Sequence, residues 1–473
     1  MKAKTKKLLI LAGFILYLCS FARADLAGQI DGIIRESIQK RVHFSIHILE
    51  ADSGITVYDH DARELMIPAS NMKIITSAAA LHYLGPDFVY KTRIGLSGNA
   101  LVVIGSGDPL LGDEKTDIKY GREPGWIFKD IANALKSKGI GTIEGITVDS
   151  SIFDNEPVHP SWPEEDLNRW YACEVSGLNF NDNCIQISTK KIDGKVAVFV
   201  EPQTSFVSLI NKVVPISKGS SAVGTYRNSQ PNRLTVFGKC KDEVGPFDVA
   251  IERPAAYFGF LLYENLAAAD IDVKGELVEK SLEEGSQFIP LIEFSTSLTD
   301  CLARCNKNSL GLVAEAMLKT IAAMNNPDKK NGSWKKGREL IGEYLLGLDI
   351  DKSQFYIDDG SGLSRQNELT AYAITTVLFD IYNGKNWQLY SESLAVGGVD
   401  GTIERYFQDD RYKGRIRGKT GYISGVRSFS GVAETDDGDY IFSILTNNSN
   451  GYTRTVINSI AEAIIDINTT EEQ

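Results

Sequence analysis

Histidine is scarce. The 473 residues hold five, His43, His47, His60, His82 and His159. None stands in a His-Glu-x-x-His run, which removes the commonest zinc-hydrolase signature. Cysteine is nearly as rare, six in all, with no Cys-x-x-Cys pair and no histidine beside any of them. That argues against a thiolate metal centre or a redox pair, and neither a metal nor a cofactor is expected. There is no Gly-x-Ser-x-Gly elbow. Basic tracts are missing beyond the first seven residues, and Asp plus Glu outnumber Lys plus Arg by 62 to 50. A chain of that balance is not expected to hold nucleic acid. No apolar run reaches the roughly 18 residues a spanning helix needs.

What is present begins with an export pattern. Met1 to Lys7 is basic, Leu8 to Cys19 is a 12-residue apolar stretch, and Ala22-Arg23-Ala24 precedes Asp25. This reads as a signal peptide over 1–24, cleaved after Ala24, and predicts a periplasmic protein. Such a chain could also touch the membrane peripherally. Export permits disulfides. The remaining cysteines are Cys173, Cys184, Cys240, Cys301 and Cys305. Five is odd, so buried thiols or one incidental bridge are expected.

The length implies two or three domains. Leu26, Ile30, Ile33, Ile34 and Ile38 recur at a helical period, and Phe44–Leu49 with Ile55–Tyr58 reads as a hairpin. From about 90 to 290 short strands and turns dominate, such as Leu101–Ile104 and Lys195–Val200, with helices at Trp126–Lys136 and Ala255–Ala268. Helical patterns return at Leu298–Arg304, Leu310–Met324, Trp334–Leu345 and Ala371–Tyr382. Strands at Gly414–Tyr422, Val426–Glu434 and Asp439–Asn447 follow, then a helix at Thr453–Ile467. The reading is an α/β (multi-domain α+β) chain. Residues 25–92 and 292–473 form one domain, interrupted by a strand-rich insertion over 93–291 with a nested sub-domain near 185–250.

Chemistry concentrates in three stretches. Pro68-Ala69-Ser70-Asn71-Met72-Lys73 opens a helix, and Ser70 and Lys73, three apart, share one face of it. A serine hydroxyl needs a base to become a nucleophile. Lysine serves only when neutral, which takes a pKa fall of roughly 3 units, from burial and a second cation. Lys419-Thr420-Gly421-Tyr422 lies on a predicted strand and could supply that cation, and Gly421 would let a substrate approach the backbone. Gly418-Lys419-Thr420 is not a phosphate loop, because position 413 is Lys and strand-like sequence follows. Ser309-Leu310-Gly311 stands at a helix start, where serine also serves as an N-cap.

In that order, Ser-x-x-Lys, a serine-centred helix start and Lys-Thr-Gly resemble the penicillin-binding protein and serine β-lactamase superfamily. More narrowly the chain resembles the D-alanyl-D-alanine carboxypeptidase/endopeptidase family of penicillin-binding protein 4, peptidase family S13. Gly105-Ser106-Gly107-Asp108-Pro109, the run from Trp162 through Asp166 to Tyr171, Asp359 to Arg365, and Val399-Asp400-Gly401-Thr402 also look like that family. So does the long interval between Ser70 and Ser309. The resemblance implies a transpeptidase-like domain, an antiparallel sheet flanked by helices, with a large insertion. It implies Ser70 as nucleophile, Lys73 as base and Ser309 as proton relay. Lys419 and Thr420 would bind the terminal carboxylate, and the Ser70 and Tyr422 N–H groups would form the oxyanion hole. Peptidoglycan stem peptides would be the substrate, and β-lactam antibiotics covalent inhibitors. One departure is Gly311, where the family carries an asparagine that reaches substrate. One such lost contact costs on the order of 10²–10³ in rate. The alternatives are a β-lactamase-like hydrolase, or a non-catalytic cell-wall-binding scaffold that kept the fold.

Overall fold

The computed structural model describes residues 26–283 and 285–467. The leader expected over 1–24 lies outside them. The chain divides into two compact units. One contains the described residues up to Ala79, Leu302–Ser309, and Ile341 onward; the other contains Ala80–Cys301 and Leu310–Leu340.

The first unit is built on six strands: β1 (His43–Glu50), β2 (Thr56–His60), β3 (Ala395–Val396), β4 (Ile416–Ile423), β5 (Val426–Thr435) and β6 (Gly438–Asn447). Their order is β3-β4-β5-β6-β1-β2, and each neighbouring pair is antiparallel. Among the chain's helices are α1 (Met72–Leu84), α2 (Leu298–Lys307), α3 (Gly311–Met324), α4 (Ala371–Tyr382) and α5 (Thr453–Ile465). Strand β1 explains why both faces of the sheet are covered. Successive side chains alternate between faces. Phe44, Ile46 and Ile48 join Leu26, Ile30 and the α5 residues Ile457, Ile460 and Ile464 in one core. Ser45 and His47 point the other way, where His47 Nδ1 lies 2.6 Å from Thr375 Oγ1 on α4. Burial holds the His47 imidazole down at about 4. This antiparallel sheet flanked by helices is the fold the resemblance implies.

The second unit contains a five-stranded mixed sheet. Its order is Leu277–Glu279, Ile146–Asp149, Ala100–Ile104, Val89–Ser97, Ile289–Ser297. Six strands between Cys184 and Ala250 form two three-stranded sheets. The boundaries expected at 92/93 and 291/292 fall inside Val89–Ser97 and Ile289–Ser297. Those strands pair from Val89↔Ser297 to Leu96↔Ile289. Their shared ladder keeps them together, so the units part at 79/80 and 301/302 instead. Residues 310–340, expected with the first unit, cluster with the second. All five cysteines beyond the leader are buried, and burial pushes the Cys173 and Cys184 thiols up.

Candidate active site

Pro68 leads into a tight 3-10 turn, Ala69–Asn71, that runs directly into α1. Ala69 takes the left-handed conformation at φ 47°, unfavourable for a residue with a Cβ. The turn holds because the sheet grips it. On β5 the alternation Ser428-Phe429-Ser430 sends Phe429 into the apolar core and the two serines to the opposite face. Ser428 Oγ donates to the Pro68 carbonyl at 2.7 Å. Asn71 Nδ2 donates to Ser430 Oγ at 2.6 Å, and Ser430 Oγ in turn donates to Ser443 Oγ at 2.8 Å. Ser70, between these anchors, stays partly exposed while Lys73 is buried.

Lys73 Nζ donates to Ser70 Oγ at 3.1 Å and to the Ser361 carbonyl at 2.7 Å. Thr76, three residues on along α1, donates to the Gly360 carbonyl at 2.7 Å. The loop supplying both carbonyls is set by Asp359, which accepts from the Gly362 N–H at 2.7 Å, the Ser364 N–H at 2.6 Å and Asn367 Nδ2 at 2.7 Å. Gly362 sits at φ +79°, and a Cβ there would lie 1.8 Å from the Ala69 carbonyl oxygen. No side chain fits between this loop and the Ala69–Asn71 turn.

Lys419, on β4, is fully buried. Its Nζ donates to Ser309 Oγ at 2.9 Å and to the Thr420 carbonyl at 2.7 Å. Burial is the main reason its amine is held well below the ordinary lysine range. The charge of Lys73 pushes the same way, as does Arg454 more weakly, and Cys305 opposes them. The repulsion between two charged amines is mutual. Ser309 does not cap α3: the N-cap is Leu310. Ser309 precedes it at φ +61°, a strained conformation of the kind found at functional sites, and its hydroxyl turns to Lys419 instead.

Thr420 faces the side opposite Lys419, and its Oγ1 donates to Thr402 Oγ1 at 2.8 Å. Thr402 belongs to Val399-Asp400-Gly401-Thr402, where Asp400 accepts from Lys307 Nζ at the end of α2 and from the Val396 N–H at 2.8 Å. The Tyr422 side chain is exposed, with the Arg427 guanidinium 4.6 Å from its ring centre. A Cβ on Gly421 would lie 2.1 Å from Ser428 Oγ and 2.9 Å from both the Pro68 carbonyl oxygen and the Ser70 nitrogen. The missing side chain leaves room for Ser428 Oγ and for the Pro68–Ser70 backbone. Gly311 is buried at the first position of α3, in the second unit.

The sequence pattern of the D-Ala-D-Ala carboxypeptidase 3 (S13) family matches residues 26–467. The chain belongs to that family. Its class is therefore an enzyme, a D-Ala-D-Ala carboxypeptidase. A D-alanyl-D-alanine carboxypeptidase of Actinomadura sp. (strain R39) is 28% identical over 454 residues, 90% of this chain and 82% of that protein. The D-alanyl-D-alanine carboxypeptidase DacB of Haemophilus influenzae is 24% identical over 81% of this chain and 81% of its own length. The crystal structure of penicillin binding protein 4 from Haemophilus influenzae shares the fold, with a TM-score of 0.77 at 22% identity, covering 92% of this chain and 98% of that one.

Of the four extra family-like stretches, two carry parts of this site, Asp359–Arg365 and Val399–Thr402. The other two lie in the second unit and serve packing there. A Cβ on Gly105 would meet the Gly177 carbonyl oxygen at 2.2 Å, and Asp108 accepts from Thr296 Oγ1 at 2.6 Å. Tyr171 donates to Asp166 Oδ1 at 2.9 Å. Sequence reasoning passed over Thr76, Asn71, Ser428 and Ser430. The signal for Thr76 was its i+3 spacing from Lys73, and for the serines the period-2 alternation around Phe429.

Proposed function

We propose that this chain is an exported serine peptidase that cleaves the bond between the two terminal D-alanines of peptidoglycan stem peptides or cross-links. The observation that carries the proposal is the Lys73 amine 3.1 Å from the Ser70 hydroxyl, beside a second buried lysine whose proton is disfavoured. Ser70 Oγ attacks the carbonyl carbon as its proton passes to Lys73. The oxyanion is met by the Ser70 N–H and the Tyr422 N–H; Gly421 permits that approach, because a side chain there would crowd the Ser70 nitrogen. The tetrahedral intermediate collapses, the C–N bond breaks, and the leaving D-alanine amine takes a proton through Ser309, which is hydrogen-bonded to Lys419. Lys419 would meet the terminal carboxylate, while Thr420 faces the other side of β4, toward Thr402. Water then attacks the ester on Ser70, releasing the shortened peptide. The basic, apolar, Ala-x-Ala start of the chain supports a periplasmic site of action.

β-Lactams present a strained amide to the same serine and would acylate it. The Haemophilus influenzae protein has been solved in complex with a β-lactam, which supports the same for this chain. Intact-mass measurement after benzylpenicillin tests the proposal. The expected result is one covalent adduct, absent from Ser70→Ala, together with release of D-alanine from a D-Ala-D-Ala peptide by the parent alone. An adduct on Ser70→Ala would move the nucleophile elsewhere.

A further inference from the structure

Within the second unit, the strands Ala222–Arg227, Arg233–Cys240 and Ser208–Pro215 form one sheet in that order. Its inner face is apolar: Leu234 and Val236 are buried in the unit's core. Its outer face is open. The register sets Gly224, Phe237 and Lys212 in one row and Ala222, Lys239 and Val214 in the next, with Tyr226 one row to the other side. Phe237 is 44% exposed, Tyr226 43% and Val214 56%.

Two features set this face apart from an ordinary wet sheet. First, the rings of Tyr226 and Phe237 lie 5.5 Å apart, tilted by 49°, and Phe237 lies across the neighbouring strand. A Cβ on Gly224 would sit 3.3 Å from its Cζ. The ring is laid down over a glycine, so it offers solvent a flat π face rather than a protruding edge. Second, the charged side chains in these three rows are lysines, Lys212 and Lys239. Residues 184–250 carry nine Lys or Arg against five Asp or Glu, in a chain that is −12 overall. No acidic residue occurs in the three rows. A flat aromatic face, negative at its centre, suits the polarised C–H face of a sugar ring. Membrane docking carries an apolar face roughly 5–10 Å into the headgroup boundary, which a ring lying flat on Gly224 does not favour.

We infer that this sheet face docks the glycan strand of peptidoglycan, with amino-sugar rings on Tyr226 and Phe237 and carboxylates of the attached peptides on Lys212 and Lys239. The inference rests on the proposed action on peptidoglycan and adds a holding surface that takes no part in the chemistry. It is separable from the peptidase reading, because none of these residues belongs to the Ser70 site.

The test is sedimentation of the intact protein with purified insoluble sacculi, in a Ser70→Ala background so that no bond is cut. Tyr226→Ala/Phe237→Ala should lower the bound fraction at least about fivefold, and Lys212→Glu/Lys239→Glu should lower it too, each with an unchanged melting temperature. Glycan strands stripped of their peptides should compete with sacculi for the parent. Equal sedimentation of parent and both variants overturns the inference, as does failure of the stripped strands to compete. Loss of binding to phosphatidylglycerol vesicles in the variants, with sacculus binding intact, overturns it in favour of a bilayer. With Ser70 present, both double variants should take up penicillin at the parental rate. Failure of the parent to take up penicillin would instead reject the peptidase reading and leave the docking result standing.

Discussion

The two units each bury a lysine completely, and the two lysines have opposite charged surroundings. In the second unit Lys319 donates to Asp154 Oδ1 at 2.7 Å and to the Glu156 carbonyl at 2.6 Å, with the Trp334 ring centre 3.8 Å from its Nζ. In the first unit Lys419 donates to a hydroxyl and a carbonyl, and its strongest charged neighbour is another lysine. Burial lowers both amines. For Lys319 the Asp154 carboxylate pushes back; for Lys419 the charge of Lys73 deepens the fall. Burial alone therefore does not mark a chemical lysine. The sign of what surrounds it does.

Exchanging the two lysines in turn should break that comparison most sharply. Lys419→Met should slow acylation by penicillin by at least about 10³-fold. It should leave the melting temperature equal or higher, since a buried amine without a carboxylate burdens the fold. Lys319→Met should do the reverse. Leaving Asp154 without its cation should cost about 3 kcal/mol of stability, while the acylation rate per folded molecule is unchanged. Stopped-flow acylation beside calorimetry reads both. A Lys419→Met protein that melts early yet acylates normally would erase the distinction.

The next effect sharpens the account of how the first unit holds Ser70. Gly362→Ala and Gly421→Ala each place a carbon against the turn that carries Ser70, 1.8 Å from the Ala69 carbonyl oxygen and 2.9 Å from the Ser70 nitrogen respectively. Both should reduce acylation by about 10²-fold or more. Gly362→Ala should be worse, because its φ of +79° is also strained for alanine. Parental acylation rates in either variant would show that the turn can yield to an added methyl group without losing its geometry.

The smallest effect is a contrast in pH response. Burial lowers His47 in the first unit to about 4. Between that value and about 6.5 the unfolded chain binds the proton and the folded chain does not, so stability rises with pH and is lost as pH falls through that window. Asp108 in the second unit is raised by burial to about 6. Between about 3.9 and that value the folded chain holds the proton, so stability falls as pH rises. His47→Gln should flatten the loss on acidification, and Asp108→Asn should steepen it, each by on the order of 1 kcal/mol across the window. Melting curves from pH 4 to 7 give both slopes, and identical slopes in the two variants would reject the assignments.

Much of this was legible in the sequence because it is local. Helix α4 occupies Ala371–Tyr382, where the apolar period put it, and β4, β5 and β6 follow from alternation. The pairing of Ser70 with Lys73 is a three-residue spacing on a helix. What was not legible joins residues hundreds of positions apart through backbone. The Ser361 carbonyl that takes the second Lys73 hydrogen bond is 288 positions away. The left-handed turn that frees Ser309 from capping depends on no local motif, since serine is a good N-cap and the sequence offers it as one. Gly421 reads as space for a ligand, and only the fold shows that Ser428 Oγ and the Pro68–Ser70 backbone crowd the same position. The strand pair Val89–Ser97 and Ile289–Ser297 likewise has no signal short of pairing.

The central claim is that Ser70 is activated by an amine whose proton a neighbouring lysine destabilises. The pH dependence of benzylpenicillin acylation, parent against Lys419→Met, tests it most directly. The parent should show an acid limb with an apparent pKa well below the roughly 10.4 of a free lysine. In the variant the limb should move to higher pH, even at its reduced rate. A limb in the same place in both proteins would contradict the claim.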